Sequence, residues 1–434
     1  MYPSVLQHDA WSCDENGGGL PFPTPRIGGE CVGAVFELPS STESRKRDKV
    51  MMQNYFKTQN HCCKEERYTF VTADFRSDVI DSFRSVITQF GVDVKHIDIN
   101  TCKEHSLSVQ SALRGVDSSM RAKFAQCRGQ IQFADAFVCT YPASLCEYVP
   151  TFQGVKIVIA SNRYDAGRQG SKQDLQAWTK SLLEIANKDY NVVAATNVYD
   201  AKYIEHYTGL KNVPVVPSFP TIIDAETYTA SERSEVILGP WASPQEGLDA
   251  LYAAVRSAAS HTLKKASWNW DRTAPQSNSK TRAIVHVPRE MSSTRFFQDY
   301  ASGVPIFCPS QKMLLQLEAQ HHVLSNKAFA HGSVASEPLT AWLRYADYYQ
   351  WPHVTLYDSW EDLVLKLDQD DDYFQKTSAA MTSFTFTMRA QLLAEWAKIL
   401  RGVRLVKSGN QHGRVENSCS NKRTFLDAFK KPPR

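Results

Sequence analysis

The chain has 434 residues, 42% of them hydrophobic and 22% charged. That balance excludes a largely disordered polypeptide, and at about 150 residues per domain the length points to two or three domains. The net charge is +3, but residues 401–434 hold nine Lys and Arg against Glu416 and Asp427, so the basic balance belongs to the tail and the body has no charge pattern of a nucleic-acid binder.

The longest unbroken apolar run, Ala250–Val255, falls far short of the roughly 20 residues that span a bilayer. The opening MYPSVLQHDAWSC has no basic stretch followed by an apolar core, and no Asn-x-Ser/Thr acceptor occurs. A cytoplasmic chain without signal peptide or transmembrane segment is therefore expected. Ten cysteines are present, with a cluster at His61-Cys62-Cys63 and no Cys-x-x-Cys pair; they read as free thiols rather than a disulfide scaffold or a zinc site.

Residues 1–65 read as an irregular leader, with Gly17-Gly18-Gly19, prolines between Pro21 and Pro25, and the polar stretch Ser40–Lys49. From Arg67 onward, β-branched and aromatic runs alternate with helical patterns, as in βαβ units on a parallel sheet. Predicted strands are Tyr68–Thr72, Val92–Ile99, Ala136–Thr140, Val155–Ala160, Asn191–Ala195 and Val213–Val216. Between them lie predicted helices at Ser77–Phe90, Ser106–Cys127, Ser144–Tyr148, Lys172–Asn187 and Asp200–Tyr207, the last closed by Gly209. These elements outline a six-stranded doubly wound domain over residues 66–225.

Pro217, Pro220 and the polar stretch to Ser234 form the expected hinge. The alternation then restarts for a second domain over residues 226–400. Its predicted strands are Glu235–Leu238, Arg282–Val287, Val304–Cys308 and His353–Tyr357. Its predicted helices are Pro244–Ser260, Ser293–Ala301, Gln311–Leu324, Trp360–Leu367 and a long closing one from Tyr373 to Leu400. Lys264–Lys280, with Trp268 and Trp270, reads as an inserted loop, Asp368–Asp372 as a solvated turn, and 401–434 as a disordered basic tail. The fold class is α/β, with two Rossmann-like doubly wound domains.

One pattern repeats. Ala160-Ser161-Asn162-Arg163-Tyr164-Asp165-Ala166 is echoed by Ala195-Thr196-Asn197-Val198-Tyr199-Asp200-Ala201. Each copy follows a strand at its carboxyl end, where open α/β sheets bind ligands. The same residue types also cap helices, so two similar caps are the alternative.

Residues 67–400 resemble the GT-B-fold glycosyltransferases, in particular the large group that includes retaining glycogen and sucrose-type synthases. The closest local match is Glu290, seven intervening residues, Gln298, and then Asp299-Tyr300-Ala301-Ser302-Gly303-Val304-Pro305. The group places Glu, seven residues, Glu, and a small-Gly-Val-Pro turn into a strand. The resemblance implies two domains facing a cleft, with nucleotide sugar held by the C-terminal one and a final helix crossing back. It also implies Glu290 on sugar hydroxyls and Gln298 on the ribose, where an amide oxygen accepts as a carboxylate does. Thr196 falls where the group usually has Ser.

The departures are specific. Ser161-Asn162 stands where the retaining group carries a catalytic His. Gly239-Pro240 and Glu246-Gly247 stand where it has Gly-Arg and Lys-Gly to grip the donor diphosphate. That role would have to pass to Arg289, Arg295 or Lys312 near the expected nucleotide face, each alternatively an exposed solubilising charge, and Ser161, Asn162, Arg163, Thr196 and the Arg168 nearby form a loop set for acceptor or phosphate. Asp74, after the first strand, is the candidate base for activating an acceptor hydroxyl, or an ordinary helix cap; Asp165 and Glu147 follow it. The resulting expectation is a metal-independent, cofactor-free glycosyltransferase using a nucleotide sugar and a glycan or other hydroxyl acceptor. The alternatives are a catalytically degenerate GT-B module binding glycan or protein, and a GT-B-fold nucleotide-sugar epimerase.

Overall fold

The computed structural model describes residues 26–27, 30–31, 68–72, 83–90, 92–96, 125, 128–149, 152–161, 163–166, 168, 171–217, 228–239, 267–269, 280–324 and 339–407. The predicted helices at 106–127 and 244–260 lie largely or wholly outside these residues, as do Asp74, Asn162, Pro240, Glu246 and the tail beyond Lys407. Within the expected leader, β1 (Arg26–Ile27) and β2 (Glu30–Cys31) form a short antiparallel pair.

Two five-stranded sheets follow. The first holds β3 (Tyr68–Thr72), β4 (Val92–His96), β5 (Ala136–Cys139), β6 (Val155–Ala160) and β7 (Val192–Ala195), in the order β4-β3-β5-β6-β7. The second holds β8 (Glu235–Gly239), β9 (Ser267–Asn269), β10 (Thr281–His286), β11 (Ile306–Pro309) and β12 (Thr355–Tyr357), in the order β12-β11-β10-β8-β9. Numbered within its own sheet, each reads 2-1-3-4-5, a doubly wound order whose direction reverses between its first and third strands. The protein is thus a parallel α/β fold built twice on one strand order.

The central strands are built on consecutive apolar residues, Ile157–Ala160 in β6 and Ala283–Val285 in β10, because a parallel sheet covered on both faces buries side chains on both sides. In β6 only Lys156 is not fully buried, and β10 is buried along its whole length. Helices are started by polar caps. Ser171 accepts from the Asp174 N–H ahead of α2 (Lys172–Ala186), which follows the short α1 (Arg128–Ile131). Asn197 accepts from the Asp200 N–H ahead of α3 (Val198–Thr208), and Gly209, at φ +78°, closes that helix in the left-handed region glycine favours.

Two compact units emerge from the contacts. One gathers described residues within 68–160, 164–194 and 393–407; the other gathers 26–27, 30–31, 161, 163 and those within 195–392. The second unit contains α4 (Thr294–Ala301), α5 (Gln311–His321), α6 (Leu339–Leu343), α7 (Asp347–Gln350), α8 (Trp360–Leu367) and the first part of α9 (Asp371–Lys407). The buried stripe of α9 steps by three and four residues, as one helix face requires. Phe374, Ser378, Met381, Thr385 and Met388 carry it in the second unit, and Trp396, Ile399 and Val403 in the first. In the first unit Trp396 meets Phe83 at 5.2 Å between ring centroids, and Lys407 bonds Asp135 at 3.2 Å.

Several expectations are corrected. The predicted strand Val213–Val216 shrinks to one bridge, Ala195 with Val215; Pro214 and Pro217 lack the N–H donors a longer ladder needs. The presumed loop Lys264–Lys280 contains β9, an edge strand paired to β8 from Glu235–Ser267 to Ile237–Asn269. Its three residues are too few to write a periodicity that announces a strand. Asp371, read as part of a solvated turn, begins α9 and bonds the buried Arg282 at 2.8 Å. The reading of all cysteines as free thiols fails at Cys139 and Cys146, which form a disulfide. Cys139 ends β5, and the turn after it brings the 3-10 helix Ala143–Tyr148 back until the two Cα atoms are 5.8 Å apart, within bridging range.

Candidate functional site

In doubly wound sheets, ligands bind beyond the carboxyl ends of the strands where the order reverses. In the second sheet that point lies between β8 and β10, whose terminal residues Gly239 and His286 are register partners. The chain leaving β10 runs directly through Val287, Pro288, Arg289, Glu290, Met291 and Ser292 to Ser293, which precedes α4. Two candidate donor residues, Arg289 and Glu290, therefore stand on this loop beside a third, Gly239. Arg289 and Glu290 are partly exposed, at 40% and 22%, and their charged groups lie 3.9 Å apart.

The helix that follows separates the remaining candidates. Gln298 is exposed on α4, whereas its neighbour Asp299 is buried and is gripped by Arg295 at 3.1 and 3.2 Å. Burial pushes the Asp299 carboxyl up to about 7, although the Arg295 guanidinium opposes the shift. Lys312 is exposed in the first turn of α5, where the Ser310 hydroxyl accepts from the Met313 N–H. His286 is buried against Phe296 and Tyr348, and its Nδ1 has no hydrogen-bond partner among the described residues. Burial, then the Arg295 charge, pushes its imidazole down to about 3, so the ring is neutral at ordinary pH.

The echoed loops meet each other. The Arg163 N–H donates to Asp200 Oδ1 at 2.7 Å, with Arg163 at φ +69° and its guanidinium over the Tyr203 ring. Asn197 Nδ2 lies 2.7 Å from Asp200 Oδ2, 3.1 Å from Thr196 Oγ1 and 2.8 Å from Ser292 Oγ. Ser292 belongs to the loop after β10, so this network ties Thr196 and Arg163 to the segment that carries Arg289 and Glu290. Asp347 completes it from α7. Its N–H donates to the Met291 carbonyl at 3.1 Å, and its carboxyl accepts from the Ser292 hydroxyl and the Ser293 N–H. Burial raises the Asp347 carboxyl well above the usual range, and the neighbouring Asp200 charge adds to the shift.

Ser161 is buried in the same unit. In the other unit Asp165 is fully buried, and Arg168 forms a buried ion pair with Glu147. Asp74 and Asn162 lie outside the described residues. Asn197 and Asp200 belong to the echoed motif without a site role of their own, and Ser292 and Asp347 were not singled out in the sequence. The Asn197–Asp200 spacing signalled a helix cap, whereas nothing local marks Ser292 or Asp347, whose bond joins residues far apart in the chain. Among the described residues no group of three or more His, Cys, Asp or Glu is placed to hold a metal ion, and no helix is long and apolar enough to cross a membrane.

No family model matches the chain, and no curated protein matches it. Among solved structures it is similar to the glycotransferase of kitacinnamycin, at 10% identity and a TM-score of 0.40, over 80% of this chain and 99% of that one. It is also similar to Arabidopsis thaliana UGT89C1 complexed with UDP, at 11% identity and a TM-score of 0.36, over 83% of this chain and 96% of that one. These structural neighbours are glycosyltransferases. At this level of likeness neither bears on the donor or the acceptor of this chain.

Proposed function

We propose that the chain is a GT-B-fold glycosyltransferase that moves a hexose or pentose from a nucleotide sugar to an acceptor hydroxyl, without a metal or other cofactor. The observation that carries this reading is the placement of Arg289 and Glu290 immediately after β10, where the strand order reverses and Gly239 ends the adjacent strand. In this reading Glu290 accepts from sugar hydroxyls, Gln298 from the ribose, and Arg289 and Lys312 face the diphosphate, with Arg295 on the same helix as Gln298. Ser161, Asn162, Arg163 and Thr196 serve the acceptor or phosphate side.

In the transfer step the acceptor oxygen attacks the anomeric carbon and its proton passes to a general base. The bond from that carbon to the diphosphate oxygen breaks, and the departing diphosphate keeps the electron pair. Cations must stabilise that charge, since a fixed positive group acts most strongly where charge develops. The Arg295–Asp299 pair favours a second reading, a binding module without turnover, because it neutralises one of the three candidate cations.

Thermal shift against nucleoside diphosphates and nucleotide sugars tests the donor site. Binding at a hundredfold excess over Kd stabilises the native state by about 2.7 kcal/mol. A shift confined to one base is expected, followed by transfer of that sugar to a hydroxyl acceptor. No shift with any nucleotide would overturn the donor site, and a shift without turnover would favour the binding module.

A further inference from the structure

The loop between β10 and α4 has no regular secondary structure to hold it, and Ser293 makes no side-chain capping bond to α4. Its conformation is set from outside. Asp347 supplies three anchors within two residues of Glu290 or just beyond: its N–H to the Met291 carbonyl, and its carboxyl to the Ser292 hydroxyl and the Ser293 N–H. Asn197 holds Ser292 at 2.8 Å, and the Tyr348 hydroxyl reaches Met291 Sδ at 4.0 Å. Asp347 itself is 1% exposed.

We propose that Asp347 is a positioning residue for nucleotide-sugar binding: it fixes the loop in the conformation that presents Arg289 and Glu290 to the donor. This rests on the donor-site reading above. A side chain that locks a loop carrying binding groups acts on affinity through placement, since small misplacements of such groups are costly. Two features favour this role over plain packing. A residue bonded to three consecutive residues of one loop, to two of them through its carboxyl, constrains that loop's backbone more narrowly than apolar contact does. The carboxyl's other oxygen, Oδ2, is buried without a hydrogen-bond partner among the described residues, and an isolated buried polar atom is costly, so packing alone does not account for the residue.

The chemistry of the anchor predicts which substitution it tolerates. Asn keeps the oxygen that accepts from Ser292 and Ser293 and removes the charge that burial and Asp200 oppose, whereas Ala removes both bonds. Nucleotide Kd is measured by calorimetry on the full chain, well below the melting temperature of every variant, using the nucleoside diphosphate that stabilises the wild type. Asp347→Asn is expected to stay within about threefold of wild type, and Asp347→Ala to weaken binding about tenfold or more. Ser292→Ala, a milder change, is expected to weaken binding in the same direction and to add little on top of Asp347→Ala, because both remove one contact.

If Asp347→Ala and Ser292→Ala bind nucleotide as wild type does while Glu290→Ala does not, the positioning role is overturned and the donor site stands. If Glu290→Ala binds as wild type, the donor-site reading falls, and this inference with it. Should Asp347→Ala fail to fold, Ser292→Ala and Asp347→Asn decide: wild-type affinity in Ser292→Ala, or a loss in Asp347→Asn as large as the one predicted for Ala, overturns the role.

Discussion

Gly239 and His286 stand opposite one another at the carboxyl ends of β8 and β10, and the next exposed side chains along the chain from His286 are Arg289 and Glu290. Among the described residues the ion pair they form is with each other, at 3.9 Å, and both are partly exposed. Glu290→Ala is therefore expected to remove nucleotide-dependent stabilisation while shifting the unliganded protein by no more than about 0.5 kcal/mol, as for a surface position away from core or caps. Melting curves with and without nucleotide check both halves. Unfolding of the unliganded variant would make Glu290 a structural residue.

Asp299 makes stability depend on pH. Its folded-state value, about 7, exceeds its ordinary value of 3.8 because burial penalises the carboxylate more than Arg295 relieves it. A carboxyl raised in this way binds its proton more tightly in the folded state. Its contribution is fully present below the unfolded value and is lost as pH rises through about 7. Wild-type stability should thus fall between pH 4 and 7 relative to Asp299→Asn, which cannot ionise. Urea titrations of both proteins across that window measure the difference; parallel curves would show that Arg295 fully offsets the burial.

How much was legible in the sequence follows from what each feature depends on. The strands β6 and β10, predicted at Val155–Ala160 and Arg282–Val287, announce themselves because burial on both faces favours the consecutive apolar residues Ile157–Ala160 and Ala283–Val285. Helix caps at Asn197 and Ser171 are equally local. The edge strand Ser267–Asn269 is not, since its pairing uses backbone groups that every residue has. The Cys139–Cys146 bond escapes for another reason: cysteine spacing carries no geometry until the turn between them is known. Asp347 is the extreme case. It sits among Tyr345, Ala346, Tyr348 and Tyr349, where nothing distinguishes it from a surface carboxylate, and its partners Met291, Ser292 and Ser293 come from a different βαβ unit.

The Cys139–Cys146 disulfide closes a short loop at the carboxyl end of β5, with a sequence separation of 7 residues. Restricting so short a loop in the unfolded chain is worth about 2–3 kcal/mol on the chain-entropy account. Replacing both cysteines by serine is expected to lower unfolding free energy by that amount without reductant. In reductant the gap should close, because the wild type then loses its bond too. Equal stabilities under oxidising conditions would show that the bond does not form in solution.

Arg282 is buried within β10 and bonds Asp371 at 2.8 Å, the Ala230 carbonyl at 3.0 Å and the Gln369 carbonyl at 3.3 Å, with its guanidinium 4.2 Å from the Phe374 ring centre. Asp371→Ala strips away the one formal counter-charge among these groups and opens the start of α9 to water. Because the Asp371 side chain is 44% exposed, the expected loss is about 1–3 kcal/mol, less than for a fully buried pair. Arg282→Met, which removes the buried charge but keeps much of the stem, should cost less than Arg282→Ala. Denaturant midpoints of the three variants test this order, and an unchanged midpoint in Asp371→Ala would mean that the carbonyls alone satisfy the guanidinium.

Gly303 turns the chain from α4 into β11 at φ +72°, and a Cβ built there would lie 2.8 Å from Thr382 Oγ1 and 3.3 Å from Ser378 Oγ on α9. Two penalties add in Gly303→Ala: an L side chain in the left-handed region costs roughly 1–2 kcal/mol, and overfilling a packed contact about 1–3 kcal/mol. Thr382 cannot simply swing away at no cost, since its hydroxyl bonds the Ser378 carbonyl at 2.8 Å. The second variant, Gly303→Ala with Thr382→Ala, separates the terms. It should recover the crowding part and leave the backbone part, so that the double variant unfolds at a denaturant midpoint between Gly303→Ala and wild type. Full recovery would mean that the φ +72° turn relaxes at no cost, and no recovery would place the whole penalty in the backbone.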